Sequence, residues 1–286
     1  MYPSKFDYHR PSSVQEAVQI LSANPDAKVL AGGHSLIPVM KLRLATPSAL
    51  VDIGRIDALQ GISRSNGSLR IGACVTYDEI ANSSTVQEAA PLLAEAAGQI
   101  GDRQVRYRGT IGGNLSHADP ASDLPAAALA LGATLHVTGT GGSRAIGSAS
   151  FFVDLMMTAL QPDEILTEVE IPAAGAGTGS AYAKWEHPAS GYALCGAAAV
   201  VTRNADGSCA SARLCFNGVS STAVDASAVG ASLAGSDLSD GTIESAVNDN
   251  LSIPDATGDM FASAGYRQEL AKVMGASALR TARDRA

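Results

Sequence analysis

Hydrophobic positions along the first third of the chain switch between two periods. Val14, Ala17, Val18 and Leu21 fall on one face of a 3.6-residue repeat. Ser13-Val14-Gln15-Glu16 at its start has the spacing of a capping box, and Asn24-Pro25 marks its end. A short apolar run, Ala27–Ala31, then leads straight into Gly32-Gly33. Ala49–Ile53, ending at Gly54, and Leu69–Ala73 repeat that strand pattern. Thr76–Glu79 carries a second capping-box spacing. Val86–Ile100 reads as a long Ala/Leu-rich helical stretch interrupted at Pro91. A helix is expected at 121–131, and strands near 133–138 and 163–171.

The pattern then changes. Pro172 to Ser180 is rich in Gly and Ala and has no period, which predicts a linker. A domain boundary is placed there, with residues 1–176 on one side and 177–286 on the other. Segments 181–187, 196–203 and 208–217 predict antiparallel strands, the last two joined by the turn Asn204-Ala205-Asp206-Gly207. Two or three helices close the chain, the last at about 261–283 with an Arg-rich end that suits a helix C-terminus.

Composition narrows the function. At 286 residues and 46% hydrophobic content, the chain is long enough for about two domains without disulfide or metal staples. A net charge of −8 disfavours nucleic acid, which needs Lys/Arg-dense faces. The longest apolar runs, such as Ala126–Leu131 and Ala197–Val201, fall far below the roughly 18 residues of a membrane span. The opening MYPSKFDYHR lacks the apolar core of a signal peptide. Cys74, Cys195, Cys209 and Cys215 form no CxxC pair, a reduced, cytoplasmic pattern that argues against an iron–sulfur cluster or structural zinc in this chain. His9, His34, His117, His136 and His187 show no metal-ligand spacing, so no metal is expected. No GxSxG elbow supports hydrolase chemistry.

Glycine, at 29 residues, is above its usual share, and two clusters of it carry candidate chemistry. Ala31-Gly32-Gly33-His34-Ser35-Leu36 and Thr110-Ile111-Gly112-Gly113-Asn114 both read as strand, tight turn, helix. Paired glycines allow backbone N–H groups to turn toward an anion, and the helix N-termini add partial positive charge. Ser35, Thr110 and Asn114 add polar side chains. Lys41 and Arg43 follow the first cluster, while Arg103, Arg106 and Arg108 precede the second. Local cations beside Gly-rich turns favour an anionic ligand, and two such turns suit a pyrophosphate. The alternative is ordinary loop turns beside a solvated basic face. The sequence has neither a P-loop nor the GxGxxG fingerprint of a dinucleotide-binding βαβ unit.

These residues resemble a known family. AGGHSLIPVMKLRLATPSALVDI at 31–53 and GTIGGN at 109–114 are similar to the two FAD-binding signatures of the flavoprotein (medium) subunit of molybdenum hydroxylases. Within the xanthine dehydrogenase family, the similarity is greatest to the aerobic carbon monoxide dehydrogenase type. FDYHRP at 6–11 and GYR at 265–267 extend the resemblance over essentially the whole chain. Trp185 to Ser190 is less basic than the carbon monoxide dehydrogenase pattern, which leaves the substrate open.

The resemblance implies an α+β chain. Residues 1–176 would adopt the two-subdomain FAD-binding fold of the vanillyl-alcohol oxidase type, with subdomains of about 1–55 and 56–176. Residues 177–286 would form a small α/β C-terminal domain with an antiparallel sheet and helices. Ala31–Leu36 and Thr110–Asn114 would hold the FAD pyrophosphate. Asp123 matches an acid near the adenosine ribose, its alternative being a helix N-cap. Lys184 matches a lysine near the isoalloxazine, and Tyr192 an aromatic beside it; their alternatives are a surface lysine and a core aromatic. No catalytic residue is expected here.

The implied role is electron transfer. An iron–sulfur small subunit with [2Fe–2S] clusters would feed FAD, and a molybdenum-pterin large subunit would oxidise the substrate. Assembly is expected as a dimer of heterotrimers with an external electron acceptor. The setting is expected to be cytoplasmic or peripheral at the inner face of a membrane. A self-contained FAD-dependent oxidase or dehydrogenase of the same fold is the alternative enzyme, and a nucleotide-binding scaffold without flavin the non-enzymatic one.

Overall fold

The computed structural model describes residues 1–286. Three units follow one another along the chain. The first is a three-stranded parallel sheet built from β1 (Asp7–His9), α1 (Val14–Ala23), β2 (Lys28–Leu30), α2 (Leu36–Lys41) and β3 (Ala49–Asp52), with β3 central. The apolar stripe of α1 is buried as its period requires. Its capping box is only half made. Ser13 Oγ accepts from the Glu16 amide, but the Glu16 carboxylate takes the amide and hydroxyl of Ser12 instead.

The second unit carries an antiparallel sheet with order β4-β5-β10-β6-β7. It comprises β4 (Ile62–Ser65), β5 (Ser68–Gly72), α3 (Tyr77–Asn82), α4 (Ser84–Ala89), α5 (Pro91–Gly98), α6 (Arg103–Arg106), α7 (Ile111–His117) and α8 (Asp123–Ala130). β6 (Thr134–Gly139), β7 (Gly142–Gly147), the short hairpin of β8 (Phe152–Asp154) and β9 (Met157–Thr158), and β10 (Ile165–Pro172) complete it. The helical stretch expected at 86–100 is two helices. Pro91 stands at the first position of α5, where its missing N–H costs nothing, and Ala90 breaks the helix before it. The capping box at Thr76 and Glu79 is complete.

The third unit is an antiparallel sheet, β11 (Thr178–Glu186), β12 (Ala193–Arg203), β13 (Cys209–Asn217) and β14 (Val224–Asp225), with α9 (Ser227–Leu233), α10 (Asp240–Asn250) and α11 (Ala264–Asp284). The aperiodic stretch expected over 172–180 is shorter than its composition suggested, since Thr178, Gly179 and Ser180 already pair with β12. Both faces of this sheet are covered. Tyr182, Ala198 and Cys215 share a core with α8, while Ala197, Ala199, Leu214 and Phe216 share one with α11. Burial on both faces explains why Ala197–Val201 is apolar without alternation.

Candidate functional site

A cleft of about 680 Å³ opens where the three units meet. The segment Gly32–Ser35 between β2 and α2 lines one wall, and its backbone explains why glycine stands there. Gly33 has φ +75°, a left-handed conformation that a side chain disfavours. Gly32 abuts the other loop, and a Cβ on it would overlap the carbonyl oxygen of Arg108. The amides of Gly32, Gly33, His34 and Ser35 donate to no acceptor in the protein. Four consecutive unpaired N–H groups facing one cleft suit an anion. The His34 ring is bonded back to the Gly32 carbonyl at 3.1 Å.

The second glycine segment works differently from the sequence expectation. No strand precedes it; a single bridge joins Thr110 to Thr76, and α7 begins at once. Gly112 and Gly113 are the second and third residues of that helix. The Gly112 amide donates to Ala73 O at 2.8 Å, and a Cβ on Gly112 would stand 2.5 Å from Ala73 Cβ. Gly112 is therefore needed for close packing of α7 on the end of β5, while Thr110, Gly112, Gly113 and Asn114 all line the cleft. Thr110 Oγ1 caps the helix by accepting from the Gly113 amide at 3.2 Å. Asn114 is oriented at the cleft wall by the fold: its Nδ2 donates to Tyr77 Oη at 3.0 Å and its Oδ1 accepts from Ser122 Oγ at 2.7 Å. Tyr77, unremarked in the sequence, thus orients the loop; burial pushes its phenol up to about 12.

The flanking cations do not gather in the cleft. None of Lys41, Arg43, Arg103, Arg106 and Arg108 lines its wall. Arg106 instead donates to the carbonyls of Ile100 and Gly101 at 3.0 and 3.1 Å. Lys28 is the one Lys or Arg on the wall, beside the unpaired backbone N–H groups of Gly32–Ser35. Sequence proximity to a loop says little about the direction of a long side chain.

Asp123 lines the cleft and stands at the first position of α8, one residue after the N-cap Ser122. Its Oδ2 lies 3.0 Å from Lys184 Nζ, with both side chains almost wholly buried. Its Oδ1 accepts from Tyr182 Oη at 2.6 Å. Burial pushes the Asp123 carboxyl above its ordinary range, and Lys184 and Tyr182 pull it back. The expectation that assigned Asp123 and Lys184 to opposite ends of one cofactor is corrected by this ion pair: they occupy one place and act together. Lys184 is no surface residue. Tyr192 is no core aromatic; it is half-exposed at the cleft mouth, beside Ser190 and Gly191. Residues 158–166 form a further part of the wall that no motif marked.

Elsewhere, burial raises the thiols of Cys74 and Cys195 to about 12, which makes them poor nucleophiles. The fold also assembles a group that spacing did not suggest: His136, Glu168 and Glu170 converge on the sheet of the second unit. Arg70 bridges both carboxylates at 2.8 and 2.7 Å, so their charge is already paired.

Comparison with known families agrees with this cleft. Residues 4–174 match the FAD binding domain in molybdopterin dehydrogenase, and residues 180–282 the CO dehydrogenase flavoprotein C-terminal domain. The chain belongs to the family of FAD-binding medium chains of molybdopterin dehydrogenases. The carbon monoxide dehydrogenase medium chain of Hydrogenophaga pseudoflava is 38% identical, over 99% of this chain and 98% of its own. A subunit of the 6-hydroxypseudooxynicotine dehydrogenase complex of Paenarthrobacter nicotinovorans is 36% identical, over 96% and 93%. A solved carbon monoxide dehydrogenase from Hydrogenophaga pseudoflava, lacking the Mo-pyranopterin moiety of its cofactor, superposes with a TM-score of 0.96 at 40% identity over the full length of both chains. Medium chains of this family carry FAD, and the present cleft fits that cofactor: its size, its four free amides and its aromatic mouth suit a dinucleotide with a pyrophosphate. No helix is long and apolar enough to cross a membrane.

Proposed function

We propose that this chain is the electron-transfer subunit of a molybdenum hydroxylase. It would receive electrons from a [2Fe–2S] small subunit fed by a molybdenum-pterin large subunit, and would deliver them to an external acceptor. A dimer of heterotrimers is the assembly this role implies. The observation that carries the reading is the run of unpaired amides at Gly32–Ser35, pressed against Arg108-Gly109 just before the Thr110–Asn114 segment, in a cleft shared by all three units. Bound FAD supplies a carrier that exchanges one electron or two. The chain's own residues do the rest. Gly32–Ser35 hold the pyrophosphate through N–H groups, Thr110 fixes the facing helix, the Asp123–Lys184 pair sets fixed charge in the wall, and Tyr192 covers the mouth where an acceptor arrives. Replacing Tyr192 with Ala is expected to change the rate of flavin reoxidation with FAD still bound.

A self-contained oxidase is less well supported, because the third unit contributes only residues 190–192 to the cleft wall and supplies no substrate cap. The deciding experiment adds candidate substrates anaerobically to the isolated chain and to the complex with both partner subunits; carbon monoxide, N-heterocycles and aldehydes form the panel. Flavin bleaching in the complex alone is expected. Turnover by the isolated chain would overturn the proposal in favour of the oxidase, and failure to bind FAD at all would overturn both.

A further inference from the structure

A buried polar chain runs from the third unit to the cleft wall. Lys184, Gly196 and Asn217 are direct cross-strand neighbours on β11, β12 and β13, and Tyr182 precedes Lys184 by two residues on the same face. Gly196 leaves the space in which this chain forms: a Cβ there would overlap both the Tyr182 hydroxyl and the Asn217 side chain. Tyr182 Oη lies 2.6 Å from Asp123 Oδ1 and 2.9 Å from the Asn217 amide group. A phenol has one proton, and the carboxylate is the stronger acceptor. The second contact is then a hydrogen bond only when Asn217 presents its NH₂ to Tyr182. That orientation also supplies the partner that Asn217 Nδ2, fully buried, otherwise lacks. The chain therefore runs from Asn217 through Tyr182 to Asp123 Oδ1, with Lys184 on Oδ2. Of these residues only Asp123 reaches the cleft.

We propose that Tyr182 is a positioning residue whose hydroxyl, steered by Asn217 across the gap at Gly196, keeps Asp123 ionised and paired with Lys184 and so sets the charge of the wall facing bound FAD. The inference rests on the reading of the cleft as the FAD site. The titratable groups around Asp123 and Tyr182 are Lys184 and Glu186 from β11, Tyr77 from α3, Glu95 from α5, which accepts from the Tyr182 amide at 3.1 Å, Tyr192 from the segment before β12, and Cys195 of β12. Lys184 and Tyr182 favour the carboxylate, while burial and Glu186 oppose it. Loss of the Tyr182 hydroxyl removes one of the two supports. Asp123 then takes up a proton at higher pH, and Lys184 is left as an uncompensated cation.

The test measures the flavin midpoint potential of the FAD-loaded full chain against pH, for the unmodified protein and Tyr182→Phe. Expected are retained FAD, a more positive potential, and a break in the plot at higher pH than in the unmodified chain, reporting the displaced Asp123 titration. Parallel plots with equal potentials overturn the proposal. If Tyr182→Phe loses its FAD, Asn217→Leu, which cuts only the far link, carries the same measurement: a smaller positive shift supports the proposal and no shift overturns it. An unmodified chain that binds no FAD refutes instead the functional reading on which this one rests.

Discussion

Gly112 and Gly33 are alike in the sequence and differ in what they permit. Gly33 is required by its left-handed backbone, Gly112 by the proximity of Ala73. Replacing Gly112 with Ala inserts a methyl into close packing, at a cost of about 1–3 kcal/mol. It also pushes α7, and the cap at Thr110, away from β5. Thermal unfolding should show the loss of stability, and FAD retention through gel filtration should fall with it. The sequence marked both glycine pairs as special, because glycine clusters beside polar residues are a local signal. It could not distinguish a turn that leaves its amides free from one that packs against a neighbour, since Ala73 is distant along the chain. Asp123 and Lys184 were candidates only through the family resemblance, and their pairing was not legible at all.

Among the elements, α8 and α11 show how context overrides pattern. Every residue of α8 is buried, because second-unit helices cover one side and the third-unit sheet the other. Such a helix has no polar face, and its apolar run Ala126–Leu131 carries no information about orientation. α11 is fastened near its start by Arg267, buried at 6% exposure within the GYR segment. Arg267 donates to Leu194 O at 2.6 Å and pairs with Asp259 at 2.6 Å. The amides of Phe261 and Ala262, together with Arg267, hold the Asp259 carboxyl below its ordinary range. A depressed folded value means that this stabilisation is present above the unfolded carboxylate range and is lost as pH falls through the folded one. Asp259→Asn should therefore melt lower than the unmodified chain near neutral pH, and the gap between the two should close on acidification. Scanning calorimetry across that range tests it; a gap constant with pH would show that the charge of Asp259 contributes nothing.

At the scale of the whole molecule, the join after residue 176 does not divide the core. Tyr182, Ala198 and Cys215 of the third unit pack in the same cluster as Leu124, Ala127 and Ala128 of α8. A fragment of residues 1–176 would expose that face and leave Asp123 without Lys184 and Tyr182. It should lack a cooperative thermal transition and bind a hydrophobic dye, whereas the full chain should unfold cooperatively and leave the dye unbound; a cooperative, dye-free fragment that holds FAD would show the first two units to be self-sufficient. The sequence by itself determined the helix starts at Ser13 and Thr76, the break at Pro91, the antiparallel strands after the linker and the two glycine segments. These depend on interactions within a few residues, where period, capping and backbone freedom are written locally. Only the tertiary structure decided that the five flanking cations stay out of the cleft, that one glycine segment offers free amides while the other packs, and that Asp123 meets Lys184, Tyr182 and Asn217. Those outcomes depend on strand register and on the seating of one unit against another, which local sequence does not encode.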